Sequence, residues 1–311
     1  MKPNDKILVT GATGYIGEHV VKKLLEENYQ PALLARDAGK INRAFRHLDF
    51  HAVDLVDFEK VNHTVASYQH IIHLGGRTGK GHLEDPVNDF HINALGTVNL
   101  LKACVNHKVK RFINMSSYEI YGAPQTFPVK ETHPRSPQSP YAGSILTREI
   151  YTDIFHKTYG LNTVTFRIFN AYGNPISERN KKGVVSFILN QIVSQKPITL
   201  TGHPEHTLDF IHLNDIVQTI FLALTTHSGV NGSFNLATGT GTSLKDLTAL
   251  IQSVVQTKNK VDFQFDKDKI AFKIVADIKA LEGHFAYKPK YNLKKGIELM
   301  LSEISAKGVS S

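Results

Sequence analysis

Near the N-terminus, the run Thr10-Gly11-Ala12-Thr13-Gly14-Tyr15-Ile16-Gly17 has the residue types and spacing to hold a phosphate. It follows Ile7-Leu8-Val9, a short apolar run with the character of a buried strand, and it opens residues 18–25, where apolar positions recur at helical spacing. Glycine at 11 and 14 permits backbone angles and close approach that a side chain would block, and Gly17 lets the helix press on the strand. The N–H groups and positive dipole end of the new helix then face the turn, where a pyrophosphate can sit. A glycine triplet also serves merely to reverse a chain, so the flanking strand and helix carry the weight of this reading.

Strand and helix signals alternate on both sides of that turn. Short apolar runs recur at Pro31-Ala32-Leu33-Leu34-Ala35, Phe50-His51-Ala52-Val53, Ile71-Ile72-His73-Leu74 and Arg111-Phe112-Ile113-Asn114-Met115, with helical segments near 57–66 and 87–106. The pattern predicts a long helix from about Pro140 to Tyr159, then a strand over Thr163–Ile168. Such alternation implies an α/β fold, a doubly wound parallel sheet with ligands at the carboxyl ends of its strands. Beyond residue 172 the character changes. A polar loop over 177–183 precedes an amphipathic helix over 184–194. A further helix is expected after Asn214-Asp215 as its cap, a strand over 233–237, and helices near 243–256 and 292–304. The expected organisation is a first domain over 1–172, with later returns near 208–237, and a smaller C-terminal α/β lobe over 173–311. The two lobes are expected to interleave, with substrate in the cleft between them.

Composition narrows the function classes. Hydrophobic content of 41% and charged content of 21% are ordinary for a soluble protein. No apolar run approaches the roughly 20 residues that span a bilayer, and the N-terminus lacks a signal-peptide layout, so a cytoplasmic protein with no membrane partner is expected. The one cysteine, Cys104, excludes an internal disulfide and lies in a helical pattern where a small core side chain is expected. The formal charge of +8 comes from scattered lysines, so no nucleic-acid partner is expected. Among sixteen histidines, His203 and His206 share a loop, but metal-ligand spacing is missing and no metal centre is expected.

Four ordered stretches extend the glycine motif into a family pattern. They are Gly11-Ala-Thr-Gly-Tyr-Ile-Gly17, Asn93-Ala-Leu-Gly-Thr-Val-Asn-Leu-Leu101, Ser116-Ser117-Tyr-Glu-Ile-Tyr-Gly122 and Arg167-Ile-Phe-Asn-Ala-Tyr-Gly173. Together with Ser139-Pro140-Tyr141 they resemble the extended short-chain dehydrogenase/reductase superfamily, in particular the nucleotide-sugar epimerase/dehydratase family. The resemblance runs nearly the whole chain, to Asn292-Leu293-Lys294-Lys295-Gly296-Ile297. It implies a Rossmann-type sheet binding a nicotinamide dinucleotide and a smaller substrate-binding lobe. Gly11, Thr13, Gly14, Tyr15, Ile16 and Gly17 would lie at the pyrophosphate, and Asp54 and Leu55 beside the adenine. Leu74, Gly75, Gly76, Asn93, Ser116, Tyr141 and Phe169 would complete the cofactor site. Many relatives have alanines where this chain has Gly75 and Gly76. Relatives using NAD carry an acid at the end of the second strand, where Ala35 stands here with Arg36 next. An arginine fits a 2′-phosphate, so NADP(H) is expected over NAD(H) unless Asp37 takes the acid's place.

Catalysis in the resembled family uses a Ser or Thr, a Tyr and a Lys. Ser117 matches the hydroxyl that bonds the sugar oxygen, and Tyr141 the proton-transferring tyrosine. Glu119 matches a functional glutamate of dehydratases and decarboxylases, or is simply an exposed acid at a strand end, while the neighbouring dehydratase aspartate is Tyr118. The lysine is missing: Tyr-x-x-x-Lys becomes Tyr141-Ala142-Gly143-Ser144-Ile145. A phenol with the ordinary pKa of about 10 is roughly a thousandth ionised at neutral pH, which costs about 4 kcal/mol in proton abstraction. Arg148, two turns from Tyr141 on a similar helix face, is a candidate to restore the charge.

The substrate side departs too. The family's Arg-Asp-Phe, whose arginine clamps a nucleotide diphosphate, is Leu208-Asp209-Phe210. Asn170 keeps its place in Phe-Asn-x-Tyr-Gly, Val184 and Phe187 suit a base pocket, and Lys267 is the candidate second cation. A nucleotide sugar is the expected substrate. Three readings stay open: an epimerase, dehydratase or reductase; a regulatory or sensor protein that binds NAD(P) without chemistry; and an altered reaction on a non-nucleotide substrate. Relatives pair through helices corresponding to 87–106 and 140–159, which implies a homodimer.

Overall fold

A computed structural model describes residues 5–77, 85–174, 183–225, 231–266 and 271–308. Lys267 and most of the loop expected over 177–183 lie outside the described residues. The first half of the chain forms β1 (Ile7–Thr10), α1 (Tyr15–Glu26), β2 (Ala32–Ala35), β3 (Phe50–Ala52), α2 (Phe58–Val65), β4 (His70–His73), α3 (Pro86–Asp89), α4 (Gly96–Asn106), β5 (Arg111–Ser117), α5 (Pro140–Tyr159) and β6 (Thr163–Ile168). The second half forms β7 (Asn170–Tyr172), α6 (Val184–Val193), β8 (Ile198–Thr201), β9 (Thr207–His212), α7 (Leu213–Thr225), β10 (Gly232–Leu236), β11 (Gly241–Ser243), α8 (Leu244–Val255), β12 (Val261–Gln264), α9 (Lys279–Phe285) and α10 (Leu293–Gly308).

Seven strands make one sheet in the order β10-β6-β5-β4-β1-β2-β3. The pairs from β6 across to β3 are parallel. After β3 the chain crosses back to β4 on the other side of β1, so the strand order reverses between β1 and β4. Loops diverge at such a reversal and leave a crevice at the carboxyl ends of the strands. Leu8, Leu34, Ile71 and Phe112 of the sheet pack with Val61, Val65, Leu100 and Leu101 of α2 and α4. Cys104 is wholly buried in this core, and burial pushes its thiol up.

The contacts divide the chain into two compact units. The first comprises 1–122, 134–168 and 217–234, the second 123–133, 169–216 and 235–311. In the second, β11-β9-β7 form a three-stranded sheet and β12 pairs with β8. Its core joins Ile188, Leu189 and Ile192 of α6 to Leu247 and Ile251 of α8 and Ile297 of α10.

Two local expectations are corrected. The helix expected over 87–106 is three pieces, because a π-helical turn over Phe90–Leu95 separates α3 from α4. Asn214-Asp215 do not cap α7 but lie in its first turn, where the buried Asp215 carboxylate accepts from the Tyr287 hydroxyl and the Lys290 and Tyr291 N–H groups. These side-chain uses leave no mark on hydrophobic periodicity.

Helix α5 positions the chemistry, and its ends are fixed by sequence. The Ser139 side chain accepts from the Ala142 N–H, Pro140 fills the first turn where its missing donor is harmless, and Gly160 closes the helix in the left-handed region at φ 69°. Near its middle the buried Glu149 carboxylate receives Nε and Nη2 of Arg167 from β6, and Arg167 Nη1 donates to the Tyr121 hydroxyl at 2.7 Å. Removing one partner of a buried pair leaves an uncompensated charge. Glu149→Leu is expected to lower stability by about 3–5 kcal/mol in urea denaturation.

Candidate active site

At the reversal between β1 and β4 lies an open groove lined by the turns after β1, β2 and β4. Gly11 forms its floor at φ 68°, and a Cβ there would come within 2.6 Å of the Gly75 backbone nitrogen. A Cβ at Gly17 would lie 2.1 Å from the Gly11 carbonyl oxygen, so α1 packs on the turn only with glycine at that position. Gly14, by contrast, takes an extended conformation open to any residue (φ −88°, ψ 173°), which corrects the expectation of unusual angles there. It is the N-cap of α1 and brings no capping side chain to the first turn, the end of a helix that suits an anion.

Of the expected cofactor residues, Gly11, Thr13, Gly14, Arg36, Asp54, Leu55, Leu74, Gly75 and Gly76 line the groove. Tyr15, Ile16 and Gly17 belong to the first turn of α1. Asn93 and Phe169 are buried, and so is Ser116, whose hydroxyl has no hydrogen-bond partner among the described residues. Sequence reasoning missed Lys40 and Ile92 of the lining. Lys40 sits in a short 3-10 turn capped by Asp37, whose carboxylate accepts from the Gly39 N–H at 2.8 Å and lies 3.6 Å from Lys40 Nζ. Asp37 is thus engaged by its own turn, while Arg36 and Lys40 bring two cations to that end of the groove. The glycine floor, the donors of α1 and the unpartnered Ser116 hydroxyl fit a dinucleotide.

A chain of hydrogen bonds fixes the inner wall. The Gly75 N–H donates to Thr10 Oγ1, which lies 2.6 Å from His73 Nδ1; His73 Nε2 lies 2.9 Å from Thr97 Oγ1, which donates to the Asn93 carbonyl. Because the Thr97 hydroxyl proton goes to Asn93, His73 donates through Nε2. Burial and the nearby Arg148 charge hold its pKa well below the ordinary value, so the imidazole is neutral and accepts at Nδ1. From the π turn, Asn93 accepts the Arg77 N–H at 2.7 Å and donates to Ser144 Oγ at 2.9 Å, which ties the β4 loop to α5.

The expected catalytic residues come together in the first unit. Ser117, at the end of β5, accepts the Glu119 N–H at 3.2 Å, and its hydroxyl lies close enough to Tyr141 to pull the phenol's pKa down. Tyr141 lies in the first turn of α5. Burial, then the nearby Glu119 carboxylate, pushes its pKa up to about 12, against the opposing pull of Arg148 and Ser117. Deprotonation at pH 7 thus costs about 7 kcal/mol, more than an ordinary phenol requires. Tyr118 is buried and its pKa raised as well. Ile145 is buried at the lysine position.

Of the expected substrate residues that are described, Ser117 belongs to the first unit and Asn170, Val184 and Phe187 to the second. Asn170 Nδ2 donates to the Asp209 carbonyl at 3.2 Å, Val184 begins α6, and Phe187 is 41% exposed on the same helix. Leu208 packs against the unit's apolar core. Asp209 is structural: its buried carboxylate accepts from Thr238, Gly239 and Ala276.

Known proteins are similar to this chain in sequence and fold. Over 306 residues the chain is 28% identical to the UDP-glucose 4-epimerase of Halalkalibacterium halodurans, covering 92% of this chain and 91% of that protein. The crystal structure of UDP-glucose 4-epimerase from Thermotoga maritima with UDP-glucose superposes with a TM-score of 0.88 at 25% identity, covering 97% of this chain and 99% of that one. That of Thermus thermophilus UDP-glucose 4-epimerase with NAD gives 0.82 at 26% identity, over 96% and 99%. A family model matches residues 7–237, from the first residue of β1 to one residue past β10, and the chain belongs to the NAD dependent epimerase/dehydratase family.

Proposed function

We propose that this protein is an NAD(P)-dependent enzyme that epimerises a nucleotide sugar, with a UDP-hexose as the first substrate to try. The observation that carries this reading is the Ser117–Tyr141 hydroxyl pair, built on β5 and α5 in the unit that holds the dinucleotide groove. A bound nicotinamide dinucleotide supplies the hydride acceptor and donor. Tyr141 as phenolate takes the proton of a sugar hydroxyl while the same carbon gives up its hydride, leaving a ketone. Ser117 bonds the oxygen through both forms. Return of the hydride to the other face of the ketone, with the proton returned by Tyr141, inverts the carbon. Dehydration is disfavoured because the acid that would assist a leaving hydroxyl is Tyr118. Asn170, Val184 and Phe187 are proposed to contact the nucleotide. Leu208, seated on apolar core, leaves the diphosphate to other donors.

The cofactor is proposed to be NADP(H). Arg36 and Lys40 both line the groove, and Asp37 is occupied by its own turn. A homodimer is also proposed, from an apolar face: Val87 is 64% exposed and Phe90 52%, and Ile150, Tyr151, Ile154 and Tyr159 are exposed along α5. Charged side chains are usual on such a face, and an apolar one suits a second copy.

Incubation with NAD(H), NADP(H) and UDP-, GDP-, CDP- and dTDP-sugars, followed by chromatography and mass spectrometry, is expected to give a new sugar nucleotide of unchanged mass. Tyr141→Phe is expected to slow its formation by about 10²–10⁴-fold. Tight cofactor binding with every sugar untouched would instead favour the regulatory reading. In calorimetry NADP(H) is expected to bind more tightly than NAD(H), and Arg36→Ala to weaken NADP(H) alone by about tenfold or more; equal affinities in the unaltered protein would sink the preference. Light scattering is expected to show a dimer that Tyr151→Glu with Ile154→Glu converts to a monomer, whereas a monomeric parent would remove the interface.

A further inference from the structure

Two buried arginines meet the sheet beside α5, and their charges are treated differently. Arg167 has the Glu149 carboxylate. Arg148, 2% exposed, donates Nε to Asn114 Oδ1 at 2.5 Å, Nη1 to the Gly75 carbonyl at 2.8 Å and Nη2 to the His73 carbonyl at 2.5 Å. These acceptors are all neutral. Burial pulls its pKa down, but a guanidinium keeps its charge in proteins, and Tyr141 is the ionisable group that favours that charge. A buried cation with dipoles alone around it is poorly compensated, and it gains most from an anion that forms nearby.

Helix geometry says where that charge goes. Residues 145 and 148 are three apart and share a face, and helical side chains lean toward the N-terminus. A long side chain at 148 therefore reaches back over the turn of Ile145 toward Tyr141. Its guanidinium ends beneath the Gly75-Gly76 loop. A Cβ at Gly76 would stand 3.4 Å from Arg148 Nη1, an ordinary contact, and 3.0 Å from Asn93 Oδ1, so an alanine there would press on Asn93.

We propose that Arg148 is a positioning residue that replaces the missing lysine: it brings a cation from one helical turn further along α5 to support the Tyr141 phenolate. This rests on the reading of Tyr141 as the proton carrier. The groups that bear on Tyr141 are Ser117 from the end of β5, Glu119 and Tyr118 from the turn that follows, Asp89 from α3 and Arg148 from α5. Glu119 and Asp89 oppose ionisation and Ser117 favours it as a neutral donor. Arg148 is the cation in this set, so its loss raises the pKa of Tyr141.

The test is an NMR pH titration of the full chain carrying ¹³Cζ-labelled tyrosine, with NAD(P)⁺ present and the Tyr141 signal assigned by its loss in Tyr141→Phe. Arg148→Gln is expected to move the Tyr141 midpoint up by at least one pH unit. It is also expected to reduce turnover at neutral pH at least tenfold, with the deficit shrinking as pH rises. A purely structural defect would depress the rate equally at every pH. Arg148→Lys, and Ile145→Lys combined with Arg148→Gln, are expected to recover at least half of the shift. A folded Arg148→Gln that titrates like the parent overturns the proposal. Should that variant not fold, Arg148→Met removes the charge while filling its space with an apolar chain, and an unmoved midpoint there overturns the proposal equally. A moved midpoint with no sugar turned over by the parent removes the epimerase reading and keeps the charge pairing; turnover with an unmoved midpoint does the reverse.

Discussion

Backbone contact between the turns after β1 and β4 is the constraint on which the first unit depends. Gly11 and Gly75 approach so closely that no side chain fits at 11. That approach brings Thr10 Oγ1 under the Gly75 N–H and beside His73. From His73 the hydrogen bonds continue through Thr97 and Asn93 to Ser144, whose hydroxyl donates to the Tyr141 carbonyl. The placement of Tyr141 is thus linked, bond by bond, to the glycine turn. The chain has a single direction of donation only if His73 is neutral, and its burial enforces that state. A charged imidazole would break the sequence at Nδ1, where the Thr10 hydroxyl needs an acceptor.

Burial also explains why electrostatics decides the chemistry here. The pocket around Tyr141 raises its pKa, as does Glu119, and desolvation enlarges each charge effect in the same space. Ser117 is better suited to stabilising oxygen charge than to removing protons, because its own acceptor capacity is partly used by the Glu119 N–H. The groove and the surroundings of Tyr141 differ electrostatically. Around Arg36 and Lys40, exposed cations face water and attract phosphate, whereas at Tyr141 the ionisable side chains lie out of water and their mutual distances govern protonation.

Much of the first unit was legible in sequence because its elements are apolar runs of strand and helix length separated by punctuating residues. Ser139, Pro140 and Gly160 give both ends of α5, and β6 follows from an uninterrupted buried run over Thr163–Ile168. The π turn over Phe90–Leu95 was not legible, since one extra residue in a helical turn barely disturbs an apolar pattern; its sign is the demand on Asn93 to serve Arg77 and Ser144 together. The short strands β7, β9 and β11 were hidden for another reason. Asp209, a charged residue in β9, is buried where hydropathy predicts exposure, because the N–H groups of Thr238, Gly239 and Ala276 converge on it from distant parts of the chain. Lys40 likewise reaches the groove through a 3-10 turn set by Asp37, a side-chain cap with no periodicity.

The family motif locates a tyrosine but does not by itself locate the charge that acts on it. A motif records positions along a helix, while a phenolate responds to distance and solvent. Residues 145 and 148 are separate letters in sequence yet lie on one helical face, and an arginine is long enough to exchange one position for the other. On the proposed reading, the isoleucine at 145 and the arginine at 148 belong together as one arrangement of charge on α5. Judged position by position, Ile145 suggests a site that has lost its chemistry. Judged by where charge is buried, the helix still carries one cation beneath the β4 loop, held by acceptors that can orient it but cannot neutralise it.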